Sequence, residues 1–242
     1  MARFNEIDDS RRRMLVRYLS AGWLLPQSFA ALAASVFGGG PGKLPESQSI
    51  YRIQGSVTVN DAPATLKTRI SPGDTVKTAA DSELVFVVGG NSMILRANSH
   101  MVIEGTKEAS SMLITALRFI TGKALSVSRN RPMNVSTSVA TIGIRGTGFY
   151  LEAEPERTYF CTCYGVTEVS ATQDPDSKEV ITAKQHDRPV YILAGEGRGK
   201  NIRNAPFINH TDQELALIEA LVGRTPPFVF PKDSYTAPRR NY

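Results

Sequence analysis

The hydrophobic pattern of the chain changes character once, near residue 49. Before that point, Tyr18 to Ala34 is a single apolar run softened by Gly22, Pro26 and Gln27. After it, apolar positions alternate with small or polar ones, as at Ile53, Val57 and Val59 and again at Leu84, Phe86 and Val88. A period of two puts one set of side chains on one face of an extended segment, so the body predicts strands. They fall at about 50–59, 64–70, 75–78, 83–88, 92–96, 101–104, 113–120, 123–128, 132–136, 147–153, 157–164, 166–171, 178–184 and 189–193. Asn60-Asp61, Pro72-Gly73-Asp74, Gly89-Gly90-Asn91, Gly105, Gly122 and Gly165 interrupt the apolar runs and predict turns there. The series predicts an all-β fold, either a β-solenoid or a β-sandwich of many short strands.

One later segment predicts a helix, over 211–222. Thr211 and Glu214 have the spacing of a capping box, Leu215, Ile218, Leu221 and Val222 share a face, and Gly223 stands where a left-handed residue ends a helix. Pro226, Pro227 and Pro231 then mark an extended tail, read as poorly ordered beyond Phe228-Val229-Phe230. The boundaries predicted are 1–33, a linker at 34–48, the β domain at 49–195 and a C-terminal extension at 196–242.

The first of these regions reads as an export signal. Arg11, Arg12 and Arg13 precede the apolar run, and Ala31-Leu32-Ala33 supplies the small-x-small pattern of a cleavage site after Ala33. Ser10, the paired arginines and Leu15 look like a twin-arginine signal, which exports proteins already folded, although Val16 stands where a lysine is usual. An uncleaved run of this length, a single membrane anchor, is one alternative, and an ordinary cytosolic helix is another. The signal and the anchor both place the body in the periplasm. The glycines of Gly38-Gly39-Gly40-Pro41-Gly42 predict a linker.

Composition narrows the function. With 41% hydrophobic and 21% charged residues the chain can bury one sizeable core. The net charge is +5, but the first 33 residues hold five of the 28 basic and three of the 23 acidic side chains, leaving 23 against 20, or +3, for the rest. That mild and dispersed excess argues against nucleic-acid binding. The body has no G-x-S-x-G elbow, no H-E-x-x-H and no phosphate-cradling glycine loop with its lysine, so the expectation is a protein that is not an enzyme.

The candidate chemistry is a cluster of soft ligands. Both cysteines lie in Cys161-Thr162-Cys163, and His186 and His210 follow within fifty residues, while His100 stands apart. On a strand the i, i+2 spacing turns both sulfurs to one face, about 7 Å apart, close enough to be drawn around one ion. Two thiolates and two imidazoles suit zinc, copper or iron. A strained small-ring disulfide, or two buried thiols with no ligand, are the alternatives that spacing leaves open.

The segment from Gly55 to about Val169 resembles the FecR domain, the periplasmic part of membrane regulators that carry a signal from an outer-membrane transporter to a cytoplasmic sigma factor. The resemblance rests on Gly55-Ser56-Val57, on Gly73-Asp74-Thr75-Val76-Lys77-Thr78, on Asp81-Ser82 with the strand Leu84 to Val88, and on Gly89-Gly90-Asn91-Ser92. Its most specific piece is Ala140 to Phe149, with Arg145, Gly146, Thr147 and Phe149, followed by Gly165 and Val169. It implies no cofactor and no catalysis. It implies instead a sensor or adaptor that binds another envelope protein, with a link to iron-uptake signalling. Only about a dozen residues precede the apolar stretch, so the expectation is the sensing half without a cytoplasmic anti-sigma domain. A metal-binding or redox protein on the same scaffold is the competing expectation, and a glycan-binding module a third.

Overall fold

The computed structural model describes residues 42–107, 111–128 and 131–228. The export signal, most of the linker and the end of the tail lie outside the described residues. Among those described, no helix is long and apolar enough to cross a membrane.

The body is all-β. Its strands are β1 (Ile50–Gln54), β2 (Val57–Val59), β3 (Ala62–Pro63), β4 (Thr75–Thr78), β5 (Glu83–Val88), β6 (Asn91–Leu95) and β7 (His100–Lys107). There follow β8 (Met112–Ser128), β9 (Met133–Ser136), β10 (Ala140–Ala153), β11 (Arg157–Ala171), β12 (Asp174–Ala183), β13 (Val190–Leu193) and β14 (Ile202–Asn204). They join in one sheet of 14 strands, antiparallel except where β8 runs beside β9. Three long strands change partners midway. β8 pairs with β7 as far as Thr121, and with β10 and β6 from Gly122 onward. β10 pairs with β9 up to Ile144 and with β8 from Thr147. β11 pairs with β13 over Arg157 to Phe160 and with β12 over Gly165 to Ala171.

These strands carry the sheet from one layer into a second that faces it. Leu84, Phe86, Met93, Leu95, Phe149, Leu151 and Phe160 point inward from one layer, and Met101, Ile103, Leu117, Phe119, Ile142, Ile144 and Val169 from the other. The arrangement is therefore sandwich-like. Glycine makes the corners possible. At Gly122, with φ of 111°, a Cβ would lie 2.2 Å from Ser99 Oγ, and at Gly165, with φ of 92°, 2.7 Å from Thr147 Cγ2.

The corners also correct the strand boundaries. Gly105, Gly122 and Gly165 bend strands rather than ending them, so the predicted pairs 113–120 with 123–128 and 157–164 with 166–171 are each one strand. Whether a glycine stops a strand or bends it depends on partners distant in sequence. The predicted strand at 50–59 breaks at Gly55, the one at 147–153 begins at Ala140, and β14 was not foreseen. Residues 64–70 form no strand, because Thr68 Oγ1 captures the Thr65 amide in a local turn.

Alternation leaves a second apolar set on the outside of the first layer: Val85, Ile94, Leu125, Val127, Tyr150, Tyr159, Cys161 and Cys163. The C-terminal extension covers it. Helix α1 (Asp212–Leu221) lays Leu215, Ile218 and Leu221 on this face. Its capping box is formed, with Glu214 N donating to Thr211 Oγ1 and Thr211 N donating to Glu214 Oε2. Arg96 bonds Glu83 in the sheet, Glu214 in the helix and the Asn209 carbonyl. Glu219, fully buried, pairs with Tyr164 and Arg224.

Candidate metal centre

Strand β11 presents Cys161 and Cys163 on the outer face, both fully buried, with neither in a disulfide. His186 arrives from the turn after β12. Its amide donates to the Cys163 carbonyl at 2.9 Å, and its positive φ of 54° turns the ring back over the strand. Asp187 supports that turn by accepting from the amides of Lys184 and Gln185. His210 arrives from the segment before α1, directly ahead of the helix cap. The four donor atoms lie within 4.8 Å of one another.

The closest approaches match the edges of a tetrahedral zinc shell. For bonds of about 2.3 Å to sulfur and about 2.0 Å to nitrogen, donors lie about 3.5 Å apart for sulfur to nitrogen and about 3.3 Å for nitrogen to nitrogen. Cys161 Sγ is 3.5 Å from His186 Nδ1, and His186 Nδ1 is 3.1 Å from His210 Nε2.

The outer hydrogen bonds fix the tautomers. His210 Nδ1 faces the Ile208 carbonyl at 2.6 Å, and a carbonyl only accepts, so this nitrogen carries hydrogen. His186 Nε2 faces the Asp212 carboxylate at 2.8 Å and donates to it, while Gln185 Nε2 holds the other carboxylate oxygen at 2.7 Å. The inward nitrogens then both present lone pairs, to each other and to a sulfur. Such a cage needs a cation at its centre, either a proton or a metal ion.

The charge states agree with that need. Burial pushes the Cys161 thiol up, but hydrogen bonds from Cys163, His186 and His210 outweigh it and hold the thiol well below its ordinary range. Burial alone pushes the His186 imidazole down, yet Asp212 and Cys161 bring it up to about 9. Burial holds His210 low and pushes the Cys163 thiol well up. Burial also works against the Asp212 carboxylate, and His186 more than compensates, keeping it ionised.

Aromatic rings wall the cluster. Tyr150 stacks on His210 with centroids 4.5 Å apart, and Phe207 lies 4.4 Å from the His186 ring and 4.5 Å from that of His210. The structure thus brings together all four residues that the sequence offered as ligands. Asp212, Gln185 and Phe207 were not foreseen. Asp212 reads in the sequence as an ordinary acidic residue of a helix first turn, and only the fold aims it at His186.

The motif residues lie elsewhere. Gly73 makes a turn with φ of 97°, its amide on the Ile103 carbonyl, and Asp74 accepts from Ser71 N and Asn60 Nδ2. Arg145 reaches Glu168 at 3.3 Å on the surface, and Gly146 forms the bulge in β10 with φ of 71°. Thr147 and Phe149 are buried, Phe149 stacking on Phe160.

No family model and no curated protein matches the chain. Two crystal structures of a candidate anti-sigma factor from Parabacteroides distasonis ATCC 8503 are similar to it, each at 19% identity with a TM-score of 0.42. Each alignment covers 54% of this chain and 58% of that protein, so the chain spans little more than half of the protein it matches. A likeness of that degree carries no functional argument, and the site must be read from its own chemistry.

Proposed function

We propose that this chain is a metal-binding protein that holds one divalent ion, zinc by preference, on Cys161, Cys163, His186 and His210, and that it works by binding rather than by turnover. The observation that carries the reading is the convergence of four soft donors whose two histidines each have the outward nitrogen tied off. Two thiolates neutralise a divalent ion, which a buried centre favours over a monovalent one. Four protein ligands leave no open position for a substrate, as in structural rather than catalytic zinc sites. The twin-arginine pattern suits the same reading, since it exports proteins folded around their metal. On this reading the domain is a periplasmic adaptor for another envelope protein, the role that its likeness to the FecR domain implies.

Metal analysis of protein purified without chelator, and after anaerobic addition of zinc, tests the site. The expected result is close to one zinc per chain, falling to background in the His210→Ala and Cys161→Ser variants. Visible absorption from thiolate-bound cobalt identifies the ligands independently. Less than about a tenth of an equivalent after reconstitution would overturn the proposal, since a preformed four-ligand site fills at micromolar zinc.

A further inference from the structure

The four ligands do not belong to one piece of the fold. Cys161 and Cys163 are part of β11, and His186 is bonded to that strand through its amide. His210 comes from the segment 205–228, which lies across the outer face of the sheet. The same segment supplies Asp212, the carboxylate that orients His186. One ligand and one orienting group therefore leave the site whenever that segment lifts.

The segment is seated on the sheet by Leu215, Ile218 and Leu221 and by the contacts of Arg96 with Glu214 and the Asn209 carbonyl, of Tyr164 with Glu219 and of Arg224 with the Gly90 carbonyl. Ala205 N donates to the Pro189 carbonyl, Tyr159 Oη to the Pro206 carbonyl at 3.0 Å, and Asn209 Nδ2 to Glu152 at 2.7 Å. Helix α1 has ten residues, too few to stand alone in water, so it holds its form by being seated. The ion's route also lies here. Cys161, Cys163 and His210 have no exposed surface, while Phe207, against both imidazole rings, is 36% exposed.

We propose that binding of the ion and seating of segment 205–228 are one linked equilibrium, with His210 as the tether and Phe207 as the cover that lifts to admit or release the metal. This rests on the metal site proposed above. Linkage makes the effect reciprocal: whatever the ion adds to the seating of the segment, the seating adds to the affinity for the ion.

Amide hydrogen exchange of the full chain, with one equivalent of zinc and after its removal by a chelator, tests the linkage. Amides of 207–222 are expected to exchange about tenfold faster or more without zinc, and then at least about tenfold faster than those of β5 and β10, which stay protected in the metal-free sandwich. In the reciprocal arm, Ile218→Ala, whose side chain offers the ion no donor, is expected to weaken zinc binding about threefold or more. Phe207→Ala is expected to speed zinc transfer to a chromophoric chelator without lowering the stoichiometry. If zinc binds one to one and the exchange of 207–222 does not move, the linkage is wrong and the metal site stands. If without zinc the strands exchange as fast as the segment, the ion holds the whole sandwich and the linkage is again wrong. If no zinc binds, both proposals fall.

Discussion

His186 is held on all sides: its amide by Cys163, its Nε2 by Asp212, and its Nδ1 against Cys161 and His210. Removing the outer partner tests how much the inner geometry depends on it. Asp212→Asn keeps the volume and loses the charge, and it is expected to weaken zinc about 10–100-fold in competition with a chelator. Proton release supplies a second test. The His186 imidazole, brought up to about 9, and the Cys163 thiol, pushed well up by burial, must each lose a proton to bind metal, whereas the Cys161 thiol is held well below its ordinary range and His210 is held low. About two protons should leave per zinc bound. Because Asp212 and Cys161 bring His186 up to about 9, affinity should fall as the pH drops below that value, and the release should approach about one proton above it. Calorimetry in buffers of different ionisation enthalpy measures this number directly.

At the scale of elements, the capping box of α1 was legible because its bonds are local, between residues three apart. The corners of the long strands were not. The glycines at 105, 122 and 165 were visible as interruptions, but the sheet that continues through them is made by strands far away in the chain. Gly148 shows the strength of that constraint. A Cβ there would lie 2.5 Å from the Tyr164 ring, so Gly148→Ala should either displace Tyr164, which anchors Glu219 of the helix, or strain β10. A loss of about 1–3 kcal/mol in denaturant unfolding is expected from the clash at Gly148, and about 1–2 kcal/mol for Gly73→Ala from backbone strain alone. Gly73 has nothing within 4 Å of that position but keeps a positive φ, so the comparison separates clash from backbone strain.

For the whole molecule, the ion proposed at the four ligands would join the sandwich to its C-terminal cover. Zinc at about a thousand times its dissociation constant adds about 4 kcal/mol to the folded state. For a domain of this size that should raise Tm by about 10 °C, and a scanning calorimeter should show the shift vanish on chelation and in Cys163→Ser. The two layers meet in an apolar core that includes no ligand, so the metal-free sandwich should still unfold cooperatively, at the lower temperature.

The period-two pattern by itself determined the all-β body, because alternation states which side of a strand is buried whatever its partner. The capping box determined the helix, and the C-x-C spacing determined that two sulfurs share a face, for equally local reasons. Tertiary structure alone decided that the sheet folds into two facing layers, since pairing between remote strands chooses whether a glycine turns or bends the chain. It alone decided that His186 and His210, at positions 186 and 210, come within 3.1 Å of each other over Cys161, and that Asp212 stands behind them. Residues that far apart meet only when the outer face of the sheet and the segment that covers it have closed on one another.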